Sequence, residues 1–395
     1  MKLLYALNPW WEVENWENKD KHIREFESMK IRWIPKWINE ISLKPFSLNF
    51  VVGSRQVGKT TGIKLLIREL LKKENKFSVF YFDVETVKDL EEFREIFFAY
   101  EKIKKENNVK TSYIFLDEVT NLKEWWRVVK SLIDMGFFKD DIIVATGSAT
   151  LNILKEKESF PGRRGFGKDI EVLPLSFPEF LEVKGVDISK RETFKEKIEE
   201  EFQNYLNFGG YPKSVNEIDI SKDLIGSIES EMLKNEKSPL ILKQIISALL
   251  EMVPSALSFN SIANKIGISN KTVESYIEDL ENLYVLKVVY FKEKVVNFRK
   301  EKKIFVRDPF LLNSLANWCN KEIRKDFLYE FVVQEHLLRK FKEIYYYRNA
   351  YEIDCIAGNL KVEVKAGKPH RKYPKGVIIL EEKDVPDFLL NLYSS

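Results

Sequence analysis

Two cysteines, Cys319 and Cys355, are the only thiols in 395 residues. So few exclude a disulfide framework, and their separation lacks metal-ligand spacing. A reducing cytoplasm is the compartment this usage implies. Long apolar runs are missing too. The apolar run in the opening MKLLYALNPWWEVENW is too short for a secretion signal, and no later run is long enough to span a bilayer. No membrane association is therefore expected. Nor is there an excess of one charge: 64 Lys and Arg stand against 61 Asp and Glu, a formal net charge of +3. That excludes nucleic-acid binding through an overall positive field and leaves only local basic patches.

What is present is 44% hydrophobic and 32% charged residues, a globular composition. Roughly two to four domains are expected at this length. Abundant Lys and Glu fit a thermophilic source. No internal repeat is visible. Residues 1–40 are rich in Trp and charge, with a helical pattern over 33–41. From about 47 to 175 the apolar runs LNFVV, FSVFYF, YIFLD, DIIVATGS and DIEVLPL alternate with helical patterns, which implies a parallel sheet. Residues 176–235 read as mainly helical, broken at NFGGYP. Helices and short strands follow over 240–298, and RKEKK at 299–303 reads as a linker. The remainder returns to helix and strand.

NFVVGSRQVGKTTGIKLLIREL carries the most specific signal. Gly53 and Gly58-Lys59-Thr60 fit G-x4-GK[ST], with Ser54, Arg55, Gln56 and Val57 between them and Thr61 next. An apolar strand precedes the motif, and Ile63, Leu66, Ile67 and Leu70 follow at helical spacing. Backbone N–H groups of such a loop point at phosphate oxygens. Lys59 is placed to reach the β and γ phosphates of ATP, and Thr60 to ligate Mg²⁺. YIFLDEVTNL sets Asp117 and Glu118 at a strand's C-terminal end, where open α/β sheets bind ligands. Asp117 is expected to hold Mg²⁺ and Glu118 to polarise the attacking water. DIIVATGS ends in hydroxyls; Ser148 is the candidate to bond water or γ-phosphate, with Thr146 as competitor.

The order GSRQVGKT, FLDEV, ATGSA, PGRR, LPLSFPEF and GGYP resembles archaeal and bacterial AAA-type ATPases, which often carry a C-terminal nuclease-like domain. The likeness covers nearly the whole chain, and NPWW at residues 8–11 fits archaeal members. The resemblance implies that the arginine of the GR pair meets a nucleotide. Here that is Arg163, with Arg164 beside it as the alternative. A finger supplied by a neighbouring subunit implies a homo-oligomer.

SFNSIANKIGISNKTVESYIEDLENLYVL has the outline of a helix-turn-helix. Ile262, Ala263 and Ile266 pack one helix, Gly267 turns the chain, and Ser269 caps a second helix with a Val273, Ile277, Leu280 stripe. Asn270, Lys271, Thr272 and Ser275 are the candidates for DNA contact. Glu274, Glu278, Asp279 and Glu281 oppose it, so packing against protein is the alternative.

YEIDCIAGNLKVEVKAGK reads as a hairpin turning at Gly358-Asn359. Asp354 then opposes Glu363, and Glu352 opposes Lys365. Like charges facing across a sheet destabilise it, and a divalent cation removes the conflict. Asp-x8-Glu-x-Lys on adjacent strands resembles the PD-(D/E)XK nuclease core, which implies Mg²⁺ or Mn²⁺ on Asp354 and Glu363, with Lys365 beside it. An acid from the preceding helix often joins; Glu330 is the candidate and Glu335 the runner-up. Lys368, Arg371, Lys372 and Lys375 follow as a possible phosphate grip. A solvated face is the alternative for the whole hairpin.

The expected fold class is α/β multidomain. It comprises an N-terminal helical segment (1–40), a P-loop AAA-type core with a parallel sheet (41–175), a helical lid (176–239), a winged helix-turn-helix (240–300) and a restriction-endonuclease-like domain (301–395). The expected function is a Mg²⁺-dependent ATPase that acts on DNA and cleaves phosphodiesters at its C-terminus. The rivals are a remodeller whose nuclease-like fold only binds, and an assembly switch whose winged helix binds protein.

Overall fold

The computed structural model describes residues 2–148, 160–349, 351–365 and 373–393. The chain divides into two compact units, Met1–Leu173 and Pro174–Ser395.

The first unit is built on β1 (Ser47–Gly53), β2 (Val79–Asp83), β3 (Tyr113–Asp117), β4 (Ile142–Gly147) and β5 (Asp169–Val172). They form a parallel sheet in the order β2-β3-β4-β1-β5. Every residue of β1 is buried, as a strand covered on both faces requires, and this explains its unbroken apolar run. The alternation of strand and helix patterns predicted this sheet. The register Asp83↔Asp117 and Val52↔Gly147 gathers the strands' C-terminal ends on one edge.

The N-terminal segment is part of this unit. Asn8 brackets the backbone of Tyr81, donating from Nδ2 to its carbonyl (2.9 Å) and accepting from its N–H (2.7 Å). The indoles of Trp10 and Trp11 both donate to the carbonyl of Val79, at 3.0 and 3.1 Å. NPWW thus covers the outer edge of β2, which would otherwise present unpaired backbone groups. The helix expected over 33–41 is only a 3-10 turn, Lys36–Glu40. Pro35, extended at ψ 129°, stands directly before it and biases its predecessor away from helix. Trp37 lies on the helix Lys59–Leu70, where a Cβ on Gly62 would come within 2.2 Å of its ring.

In the second unit, helices Phe177–Val183, Lys195–Phe208, Ser221–Lys234 and Pro239–Met252 precede helices Phe259–Ile266 and Asn270–Asn282. Gly267, at φ 76°, ends the fifth of these, and Ser269 caps the sixth by accepting from Thr272 N at 3.0 Å. The strands are β6 (Leu286–Lys292), β7 (Val296–Asn297), β8 (Lys303–Val306), β9 (Tyr345–Arg348), β10 (Glu352–Ala357), β11 (Leu360–Lys365) and β12 (Val377–Glu381). Their order is β12-β11-β10-β9-β6-β7, with β8 paired to β6. Residues 299–303 are not simply a linker. Lys302 exchanges both backbone hydrogen bonds with Leu257 at 2.8 Å, and Lys303 opens β8. The strands on either side of position 300, β7 and β8, both pair with β6 and so belong to one sheet.

The glycine loop of NFGGYP is gripped by Asp308. Its carboxylate accepts from Gly210 N at 2.8 Å and from Leu311 N at 3.2 Å, so one side chain holds the loop and caps the helix Pro309–Cys319. A Cβ on Gly209 would lie 2.2 Å from that carboxylate.

His336, on the helix Lys325–Phe341, ties down the helix Phe177–Val183. Its Nε2 accepts from Phe177 N at 2.9 Å, and Nδ1 bonds the Val332 carbonyl at 2.7 Å. Burial, aided by the charge of Arg339, pushes its pKa from 6.5 down to about 3. The unfolded chain binds this proton near pH 6.5, the folded chain only near pH 3. Its stabilising effect is therefore complete above pH 6.5 and is lost as pH falls below it. At pH 5 the loss is about 2 kcal/mol. His336→Gln should lower the stability of the second unit to urea at pH 7.5, and the gap between wild type and variant should shrink by about 2 kcal/mol between pH 7.5 and pH 5.

Candidate functional site

The phosphate loop leaves β1 at Gly53 and runs through Ser54, Arg55, Gln56 and Val57 to Gly58. Gln56 and Gly58 have positive φ, 63° and 84°, and only a tight loop ending in a left-handed turn delivers the chain to the helix at Lys59. Lys59 is buried, and its Nζ donates to the carbonyls of Gly53 (3.0 Å) and Ser54 (2.8 Å). Burial lowers its pKa, against the opposing charges of Glu118 and Asp117. Thr60 donates to Asp117 Oδ2 at 2.7 Å, and Thr61 follows in the first helical turn.

Asp117 is buried at the end of β3. Besides Thr60 it accepts from Tyr81 at 2.8 Å and from Thr146. Glu118 takes a left-handed conformation, φ 51° and ψ 43°, uncommon for this residue type and frequent where strain serves a site. Ser148 donates to Glu118 Oε2 at 3.2 Å. The two hydroxyls at the end of β4 therefore divide the work: Thr146 fastens Asp117, and Ser148 reaches Glu118.

Tyr81 was not legible as a site residue. Nor was Lys64, a buried lysine whose Nζ lies 3.4 Å from the Tyr81 ring centroid and 3.5 Å from Asp20. The one available signal was a tyrosine two residues before the acidic end of an apolar strand.

Arg163 makes a two-pronged contact with Asp134, at 2.5 and 3.2 Å, and its side chain remains 30% exposed. Arg164 bonds Asp169 at 2.6 Å and covers the Phe50 ring at 4.9 Å.

A second cluster lies around the β10–β11 hairpin. The register Cys355↔Val362 and Ala357↔Leu360 is the one the Gly358-Asn359 turn predicted. One step further along, Asp354 N donates to Glu363 Oε2 at 3.1 Å, and Val364 N to Asp354 Oδ2 at 2.9 Å. This face is not solvated: Asp354 is 4% exposed and Glu363 0%. Glu363 also accepts from Tyr373 at 3.0 Å and pairs with Lys365. Glu352 does not pair with Lys365, as the register suggested; it turns to Lys303 at 3.1 Å.

Lys303, 3% exposed, also contacts Glu330 at 2.9 Å and Asp354 at 2.5 Å. Burial disfavours its charge, but Glu330, Asp354 and Glu352 outweigh it and hold its pKa well above the usual lysine value. Burial and then Asp354 push the pKa values of Glu330 and Glu363 upward. Gln334 Nε2 donates to Glu330 (3.1 Å) and to the Asp354 carbonyl (3.3 Å). Glu335 belongs elsewhere, fork-paired to Arg307 at 2.9 and 3.1 Å and bonded to Arg339 at 2.8 Å. Among the described residues no group of three His, Cys, Asp or Glu is arranged to hold a metal ion. In this cluster the Lys303 ammonium stands where three carboxylates meet. Lys368, Arg371 and Lys372 lie outside the described residues; Lys375 is exposed.

On the helix Asn270–Asn282, Asn270 and Lys271 are exposed, as are Glu274 and Glu278. Thr272 and Ser275 are half-buried. Asp279 is paired with Lys237 at 2.7 Å. No helix among the described residues is long and apolar enough to cross a membrane.

The parallel sheet, the phosphate loop and the acidic strand end define a P-loop nucleotide site. Residues 46–181 match the AAA domain family, so the chain carries an AAA-type ATPase domain. Residues 199–322 match a domain of unknown function (DUF8612), which spans position 300 as the sheet does. The chain is 25% identical over 344 residues to an uncharacterized protein of Methanocaldococcus jannaschii, covering 80% of this chain and 73% of that protein. It is 26% identical over 272 residues to an uncharacterized protein of Haemophilus influenzae, covering 64% of this chain and 63% of that one. Among solved structures, the Aeropyrum pernix ORC2 protein in its ADPNP–ADP complexes aligns at a TM-score of 0.40 and 11% identity, over 72% of this chain and 91% of that one.

Proposed function

We propose that the chain hydrolyses ATP with Mg²⁺ at the phosphate loop. The observation that carries this is the 2.7 Å contact between Thr60 and Asp117, which brings two oxygen ligands together beside Lys59. Hard oxygen donors of this kind, completed by phosphate oxygens and water, suit Mg²⁺. Thr60 and Asp117 would hold the ion beside the nucleotide, where it would supply neutralisation of phosphate charge. Lys59 exchanges the carbonyls of Gly53 and Ser54 for phosphate oxygens. Glu118 accepts the proton of the attacking water, Ser148 orients Glu118, and Tyr81 with Thr146 fixes Asp117. Lys59→Ala should weaken nucleotide binding, measured by titration with a fluorescent ATP analogue; unchanged affinity would contradict the site.

Arg163 is the finger in this reading and acts on a neighbouring subunit. Its Asp134 partner is exposed, so exchange for a γ-phosphate costs little burial. Mixing Arg163→Ala with Lys59→Ala subunits should restore part of the ATPase activity that each lacks. No recovery on mixing, with full activity in a protein held monomeric, would remove the role in trans.

A second reading concerns the hairpin cluster and is supported by its burial and its oxygen donors. In it Asp354 and Glu363 hold Mg²⁺ or Mn²⁺, which suits two protein carboxylates completed by water. The ion would supply charge neutralisation at a scissile DNA phosphate. Glu330 steadies Asp354 through Lys303 and Gln334, and Lys365 stabilises developing charge. A winged helix over residues 240–300 would contact DNA through Asn270, Lys271, Thr272 and Ser275. DNA affinity that does not fall with salt would favour protein as its partner instead.

A further inference from the structure

We propose that Lys303 is a resident second cation of the hairpin cluster, so that the site takes one divalent ion and not a pair. This rests on the metal reading of Asp354 and Glu363. Three carboxylates from two elements converge on the Lys303 Nζ: Glu330 at 2.9 Å, Glu352 at 3.1 Å and Asp354 at 2.5 Å. An ammonium has three N–H donors, and each meets a carboxylate oxygen here. Such an oxygen cage fits a cation, and a cation of the chain already fills it.

Asp354 has two sides. Its Oδ1 faces Lys303, while its Oδ2 accepts from Val364 N on β11, the strand that carries Glu363. Hydrolytic sites with two metals share a carboxylate between ions about 3.5–4 Å apart. Asp354 occupies the shared position, with an ammonium on one side and the Glu363 pole on the other.

The buried amide of Gln334 is a separate observation in the same cluster. Its Nε2 holds Glu330 and Asp354, yet its Oε1 has no hydrogen-bond partner. An unsatisfied buried acceptor is costly, and a water on a bound ion would satisfy it.

The test is Mn²⁺ titration of the nucleotide-free full chain, with free Mn²⁺ read by electron paramagnetic resonance. The wild type should bind one ion, lost in Asp354→Asn. Lys303→Met should bind two. Lys303→Gln, which keeps a donor for the carboxylates, replaces it if the Met variant does not fold, with the same expectation. Two ions in the wild type, or no second ion in a folded Lys303 variant, overturns the role of Lys303 while the metal reading stands. No Asp354-sensitive ion in the wild type overturns both.

Discussion

Asp354→Asn is expected to abolish the metal-dependent DNA cleavage proposed for the hairpin cluster and to leave ATP hydrolysis within about twofold of the parent. The two sites lie in different compact units, so the loss should stay in one. The substitution keeps the shape of the side chain but removes the charge that a divalent ion needs. Opposed carboxylates on paired strands would suggest that neutralising one stabilises the protein. Lys303 reverses that expectation. Asp354 is one of its three partners and also accepts the Val364 N–H. Asp354→Ala leaves a buried lysine short of a partner and should destabilise the second unit by about 3–5 kcal/mol. Chemical unfolding in the presence of a chelator reads this directly; a stabilised variant would mean that Lys303 does not offset the carboxylates.

Glu118→Gln is expected to retain ATP and to slow its hydrolysis by about 10²–10⁴-fold, the usual contribution of a positioned base. Lys59→Ala differs in kind, because it removes a contact made by bound nucleotide. One variant should change turnover with affinity kept, and the other should lose affinity. The left-handed backbone at Glu118 argues that its position is held by its surroundings and not by its own preference. Ser148, bonded to Glu118 Oε2, is one such support.

Much of the first unit was legible because its signals are local. Glycine spacing marks the phosphate loop, and apolar runs ending in Asp117 or Thr146 mark strands at the ligand-binding edge. Gly358-Asn359 set the hairpin register for the same reason: the turn fixes which residues face each other. What escaped notice depends on contacts between distant segments. Lys303 sits in a charged stretch that looks like a linker, and meets Glu330 and Asp354 from 27 and 51 positions away. Nothing local distinguishes it from Lys302, which meets no carboxylate at ion-pair distance among the described residues. Tyr81 is another such case, since its partner Asp117 belongs to the neighbouring strand. The short turn at Lys36–Glu40 failed differently, because an amphipathic pattern was read across Pro35.

The most direct measurement is phosphate release from ATP by the purified full chain, with Mg²⁺ and with a chelator, for the wild type and Glu118→Gln, with bound nucleotide measured in parallel. The site described here predicts release only with Mg²⁺ in the wild type, and nucleotide bound but turned over at least about 10²-fold more slowly in Glu118→Gln. Release at the same rate without Mg²⁺, or at the parent rate in Glu118→Gln, would contradict it.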